Sequence, residues 1–214
     1  MRAAALALVL VLGLGACNTP RSAAPADAPS GVRILSEHML LKAGPIGVKE
    51  TQDATYVLVD VANETADDRD VAVVGDLIDA GGREVEALAL DEMRVPAGGV
   101  RTFALVGDRA APEATGAHLR VRSASLVNGC AWTITDGWPI DGDAERSVQG
   151  ATIRSNVSRD GHVTLATTFR DDAGAILARP FVILELRGGT SRDFSFVGPV
   201  TATRADVFVT DVVH

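Results

Sequence analysis

The chain lacks the short patterns that mark most enzymes. Its 214 residues contain no GxSxG, HExxH, Walker A or GxGxxG pattern. Those absences remove the nucleophile elbow, the helix-borne zinc pair and the glycine-rich phosphate cradle as starting points. Cysteine is nearly missing, at 2 residues with no CxxC pair, so thioredoxin-like chemistry is not indicated. The 4 histidines, His38, His118, His162 and His214, stand far apart and read as solvated or edge residues. Basic residues are in deficit, 20 against 28 acidic ones, for a formal net charge of −8. A chain of that sign is poorly suited to nucleic acid or to anionic headgroups as its main partner. Long stretches with a 3.6-residue apolar period are also absent, which argues against a helical core.

What is present begins with a leader. Met1-Arg2 is a short positive start, residues 3–14 are almost wholly apolar, and Gly13, Gly15 and Ala16 are small. This is the layout of a secretory signal peptide over residues 1–16. The apolar run is too short to span a bilayer, which takes roughly 20 residues. Leu14-Gly15-Ala16-Cys17 resembles the lipobox of bacterial lipoproteins. The resemblance implies that Leu14, Gly15 and Ala16 are recognised by the signal peptidase. It also implies a diacylglycerol thioether on Cys17, a further acyl chain on its freed amine, and stable anchoring by several chains. Asn18, where inner-membrane retention in enterobacteria favours Asp, implies an outer-membrane anchor facing the periplasm.

Residues 17–30 then form the lipidated cysteine and a flexible tether. The stretch 18–30, NTPRSAAPADAPS, has 3 prolines and little to bury. At about 3.1 Å per residue it reaches roughly 40 Å. An acylated Cys17 leaves Cys130 without a partner in the chain. Cys130 reads either as a small buried hydrophobe beside Trp132 or as a reactive or intermolecular thiol.

Beyond the tether the chain is a series of short alternating runs. Val57, Val59 and Val61 alternate with Leu58, Asp60 and Ala62; Phe103 and Leu105 alternate with Thr102 and Ala104; Leu119 and Val121 alternate with Arg120 and Arg122. Each predicts a half-buried strand. The pattern also occurs twice. Asp79-Ala80-Gly81 and Asp172-Ala173-Gly174 punctuate two hairpins, as sites for the positive φ of a tight turn. Downstream, RTFALVG (101–107) matches RDFSFVG (192–198), and ATGAHLRV (114–121) matches ATRADVFV (202–209). Upstream, Asn63 and Asn156 precede their turns by the same interval. Conserved order with small gap differences predicts a duplicated β-module. The fold expected is all-β: two tandem immunoglobulin-like antiparallel sandwiches, over residues 31–125 and 150–214, joined by a connector at 126–149.

A polar Asn after a strand, a D-x-G turn, Pro96-Ala97-Gly98-Gly99 and an F-x-L/F strand resemble the FxLYD-type Ig-like domains of bacterial envelope lipoproteins. The first module is also similar to small outer-membrane lipoproteins of the YcfL type. The resemblance implies an immunoglobulin-like sandwich and no known catalysis, and it carries over no functional residue. The chain departs from it in having two modules and a connector that contains tryptophan.

Candidate chemistry is sparse. Asp67, Asp68 and Asp70 share one turn, and Asp141, Asp143 and Glu145 alternate in a loop. Neither spacing fits an EF-hand, so both read as solvated acidic turns, and no metal or cofactor is expected. Trp132 and Trp138 are the only tryptophans. They read either as packing between the modules or as a contact patch for a protein or glycan. Val207-Phe208-Val209 reads as an edge strand or as core. The function expected is therefore a non-catalytic, membrane-anchored envelope lipoprotein, with an interaction or structural role toward another envelope protein or glycan. The alternative is an accessory or catalytic domain acting on periplasmic glycan or peptide, with Asp141, Asp143 and His162 as loose candidates.

Overall fold

In the computed structural model the alternating runs become strands that close into two sandwiches, each of 2 antiparallel sheets. The structure describes residues 31–45, 53–127, 133–137, 141–142 and 147–213. Among the described residues every regular element is a strand.

Module one contains β1 (Val32–Pro45), β2 (Asp53–Asn63), β3 (Arg69–Ile78), β4 (Glu84–Val95), β5 (Val100–Val106) and β6 (Gly116–Leu126). Its sheets run β1-β2-β5 and β4-β3-β6. Module two contains β7 (Thr133–Gly137), β8 (Asp141–Gly142), β9 (Ser147–Arg154), β10 (Gly161–Arg170), β11 (Ile176–Ala178), β12 (Phe181–Leu186), β13 (Ser191–Gly198) and β14 (Arg204–Val213). One of its sheets runs β13-β9-β7, with β8 also on β9. In the other, β11, β12 and β14 all pair with β10. The segment read as a connector thus supplies β7 and β8, which pair with β9 as β1 pairs with β2.

The duplication extends to individual hydrogen bonds. In the first hairpin turn the Asp79 carboxylate accepts from Gly81 and Arg83 N–H at 2.8 and 3.0 Å. Its carbonyl accepts from Gly82 N–H, and Gly82 has φ 77°. In the second turn the Asp171 carboxylate accepts from Ala175 N–H at 2.8 Å. Its carbonyl accepts from Gly174 N–H, and Gly174 has φ 85°. Asp171, not Asp172, is therefore the counterpart of Asp79, and the positive φ of the first turn falls on Gly82, not Gly81.

The same one-residue correction applies upstream. Asn63 N–H donates to Gly99 O, and Ser155 N–H donates to Thr190 O, each at 2.9 Å. Asn63 therefore corresponds to Ser155, and not to Asn156. The later matches hold in register. Ala114 and Ala202 N–H close equivalent turns, and Thr115 and Thr203 N–H donate to Ile78 O and Arg170 O at 2.8 Å.

Each sandwich has its own core. In module one Val57, Val59, Val61, Phe103 and Leu105 cluster with Val71, Val73, Leu77, Met93 and Val95. In module two Ala151, Ile153, Phe194 and Phe196 cluster with Val163, Leu165, Phe169, Leu184 and Leu186. Burying each large apolar side chain contributes about 1.5–3 kcal/mol before the entropy of ordering it is subtracted. Gly198 shows how tight the second core is, because a Cβ there would lie 2.5 Å from the Phe169 ring.

One strand departs from the half-buried expectation. On β2 the residues between the valines are also inside: Leu58, Asp60 and Ala62 are all buried. Their face meets the second module.

Candidate functional site

The sequence-nominated residues Cys17, Leu14, Gly15, Ala16, Trp132, Trp138 and Cys130 lie outside the described residues. So do Asp143, Glu145 and His214. The described residues bring together a different constellation, at the junction of the modules.

Its first part is an ion pair that sequence reasoning placed on neither side. Asp60 on β2 and Thr102 on β5 are cross-strand partners, on the sheet face opposite the core valines. Both are about 1% exposed. Thr102 donates its hydroxyl to Asp60 Oδ1 at 2.6 Å. Arg170, at the end of β10, donates from Nη2 to the same oxygen at 2.7 Å and reaches the Thr102 hydroxyl at 3.0 Å. Alternation explains the reach. Val163, Leu165 and Phe169 point into the second core, so Ala166, Thr168 and Arg170 point out of it, toward module one.

Its second part is a clamped ring. Phe208 on β14 pairs with Ala166, and both join the apolar cluster of module one. The Arg101 guanidinium lies 5.1 Å from the Phe208 ring centroid, and that of Arg179 lies 5.6 Å away. Arg101 comes from module one and Arg179 from module two, so the ring is held by a cation from each. Such contacts are worth about 0.5–2 kcal/mol, more where water is excluded. Burial pulls the Arg101 guanidinium below its usual pKa, against the opposing pull of Asp206 and Asp68. Arg179 is lowered by burial too, opposed by Asp91 at 3.6 Å. Phe208 is 3% exposed, so the segment 207–209 is core and junction.

The acidic turn at 67–70 is built into the fold. Asp68 accepts from Ala97 N–H at 2.8 Å and from the Arg94 guanidinium, and both lower its pKa. Asp70 is half-buried, and burial together with Glu92 raises its pKa. Asn63 threads the same corner, donating from Nδ2 to Asp67, Val95 and Pro96 carbonyls. Its counterpart Ser155 is shorter and bonds the Val157 carbonyl. Beside it stands an open cleft of about 380 Å³ lined by Arg154, Ser155, Asn156, Val157, Ser158 and Gly189. Among the described residues no three His, Cys, Asp or Glu side chains converge as a metal site. His118 and His162 are exposed on β6 and β10.

Chemically, then, the junction locks two modules. Its charges face each other, and the Phe208 ring is enclosed. Asp60 was legible only as a polar residue in an alternating strand; the signal that could have flagged it is its placement between the apolar residues Leu58 and Ala62 on its own face, opposite Val59 and Val61.

No family model matches the chain, and no curated protein matches it. A solved structure similar to it is that of a DUF1425 family member from Shewanella sp. pv-4, at 19% identity and a TM-score of 0.36, covering 42% of this chain and 90% of that one.

Proposed function

We propose that this chain is a non-catalytic lipoprotein of the bacterial envelope, of the FxLYD/YcfL-like kind, anchored through Cys17 and facing the periplasm from the outer membrane. Its two sandwiches form one stiff arm that presents a binding surface to another envelope polypeptide. The observation that carries this reading is the junction. The deeply buried charges Asp60, Arg170 and Arg179 join one module to the other, and none of them lines the cleft beside Ser155. Buried ionised groups are costly and persist where they are paired, so a charge-locked junction favours one fixed arrangement of the modules. A stiff arm on a tether of roughly 40 Å suits presentation of a surface at a set distance from a membrane.

The anchor is tested by metabolic labelling with a palmitate analogue. Wild type takes up label and partitions into the detergent phase, and Cys17→Ser does neither. Equal labelling of both, or of neither, refutes the anchor.

A further inference from the structure

The two modules share a topology but finish one edge of the sandwich differently. Antiparallel pairing alternates residues whose N–H and C=O face the neighbouring strand with residues whose groups face away. On β5, Asn63 N–H to Gly99 O and Gly107 N–H to Thr55 O fix this alternation at the two ends of its ladder with β2. Thr102 and Ala104 therefore face away from β2. Module one closes that edge itself. Ala104 N–H donates to the Asp91 carboxylate at 2.8 Å, Asp108 N–H donates to Glu86 at 3.2 Å, and Leu88 bridges Gly107. All three closing residues belong to β4, in the opposite sheet.

In module two, Ser155 N–H to Thr190 O sets the same alternation along β9 and β13. Ser191, Asp193, Ser195 and Val197 turn their N–H and C=O away from β9. The closing carboxylate is missing. Asp91 pairs with Val73, and at the equivalent place Val182 pairs with Leu165. A valine cannot accept from a backbone N–H. The counterpart of β4 is also broken at Arg179-Pro180, and Arg179 turns to Asp91 of module one. Among the described residues β13 pairs with β9 alone. Ser191, Asp193 and Ser195 are exposed, Val197 is 56% exposed, and Val200, just beyond the strand, is 46% exposed.

We infer that the outer edge of β13 is a strand-addition site, occupied by an extended, uncharged and partly apolar segment of another envelope polypeptide. The inference rests on the interaction reading above and gives it a place. A row of alternating donors and acceptors at strand spacing is matched by an extended peptide backbone. Charge along the edge cancels, with Arg187 and Arg192 set against Glu185 and Asp193, so neither sign is selected. Val197 and Val200 supply apolar contact at one end. No proline or lysine, the usual guards of an edge strand, interrupts 191–198.

The test uses the full chain in its host, with the photocrosslinking residue p-benzoylphenylalanine placed in turn at Asp193 and Val197, at Phe181 and Ile183 on β12, and at Val106 on the closed edge. Light gives an adduct to another protein from positions 193 and 197 and only background from 106. The two attachment points fall about four residues apart on one partner segment, as strand pairing requires. Ser195→Pro removes one outward N–H without touching the β9 ladder, a place where proline is tolerated in an edge strand. It lowers adduct yield about tenfold at an unchanged melting temperature, whereas Ser195→Ala keeps the yield. If that proline lowers the melting temperature, Val197→Pro read from position 193 gives the same comparison. Adducts no stronger than at 106, attachment points scattered over the partner, yields indifferent to proline, or adducts made only of two copies of this chain each overturn the assignment. Adducts from exposed Phe181 or Ile183 with none from β13 overturn the edge and leave the interaction reading standing. No adduct from any of these positions overturns both.

Discussion

Removing Arg170 is the sharpest test of how the two modules are joined. Its side chain is 13% exposed and that of Asp60 2% exposed, so water does not replace the lost contact. Arg170→Met keeps most of the apolar stem and deletes the charge. Asp60 is then left buried without its arginine, and the Thr102 hydroxyl still donates to it at 2.6 Å. Breaking a buried pair by removing one partner costs about 3–5 kcal/mol. The retained Thr102 bond argues for the lower end, about 3 kcal/mol, or roughly 6–12 °C in melting temperature for a protein of this size. Urea denaturation followed by near-ultraviolet circular dichroism measures it. The decisive sample is the double variant Asp60→Asn/Arg170→Met. An amide in place of the carboxylate leaves no orphaned charge, so the double variant recovers most of the loss and sits within about 1.5 kcal/mol of wild type. A loss below about 1 kcal/mol for Arg170→Met, or a double variant no more stable than the single one, refutes a charge-locked junction.

Other changes follow from the same geometry. Phe208→Ala empties the space between Arg101 and Arg179 and should cost about 3–5 kcal/mol in the same denaturation assay. Gly198→Ala drives a Cβ into the Phe169 ring and should lower the melting temperature through module two, whereas Gly82→Ala, with open space around it, should suffer only the strain of its φ of 77°. Asp70 has a folded-state pKa raised above its unfolded value. Its favourable contribution is therefore complete below the unfolded pKa, near 3.9, and is lost as pH rises through the folded value. Asp70→Asn should accordingly raise the melting temperature at pH 7 and leave it unchanged near pH 3; a gain of equal size at both would show that the charge is not the cause.

The sandwich architecture was legible because alternation of apolar residues reports directly which face of a strand is buried. The duplication was legible because the matched segments keep their order. The register was off by one at two places for the same reason. Asp171 and Asp172 are chemically alike, as are Asn63 and Asn156, and a string of letters does not say which oxygen meets which N–H. The turn geometry selects Asp171, and the shared backbone bond selects Ser155. The ion pair of the junction was not legible. Asp60 stands where an alternating strand places a solvent-facing polar residue, and its partner Arg170 is 110 residues away. Periodicity describes one sheet and its own core; it is silent on a second module packed against the opposite face.

The closed edge of module one and the junction meet in one side chain. Asp91 Oδ2 accepts from Ala104 N–H at 2.8 Å and stands 3.6 Å from Arg179 Nη2. One carboxylate thus caps the free edge of β5 and draws in the arginine that backs the Phe208 ring. In the second copy the same register position holds Val182, whose side chain packs against the second apolar core. The substitution has two consequences that cannot be separated. A module with valine there gains an apolar contact and leaves its β13 edge open, and it offers no acid to lock a further module in place. The residue that would propagate the contact is also the residue that would seal the edge, so the module with valine at that position is the one left with a strand to share.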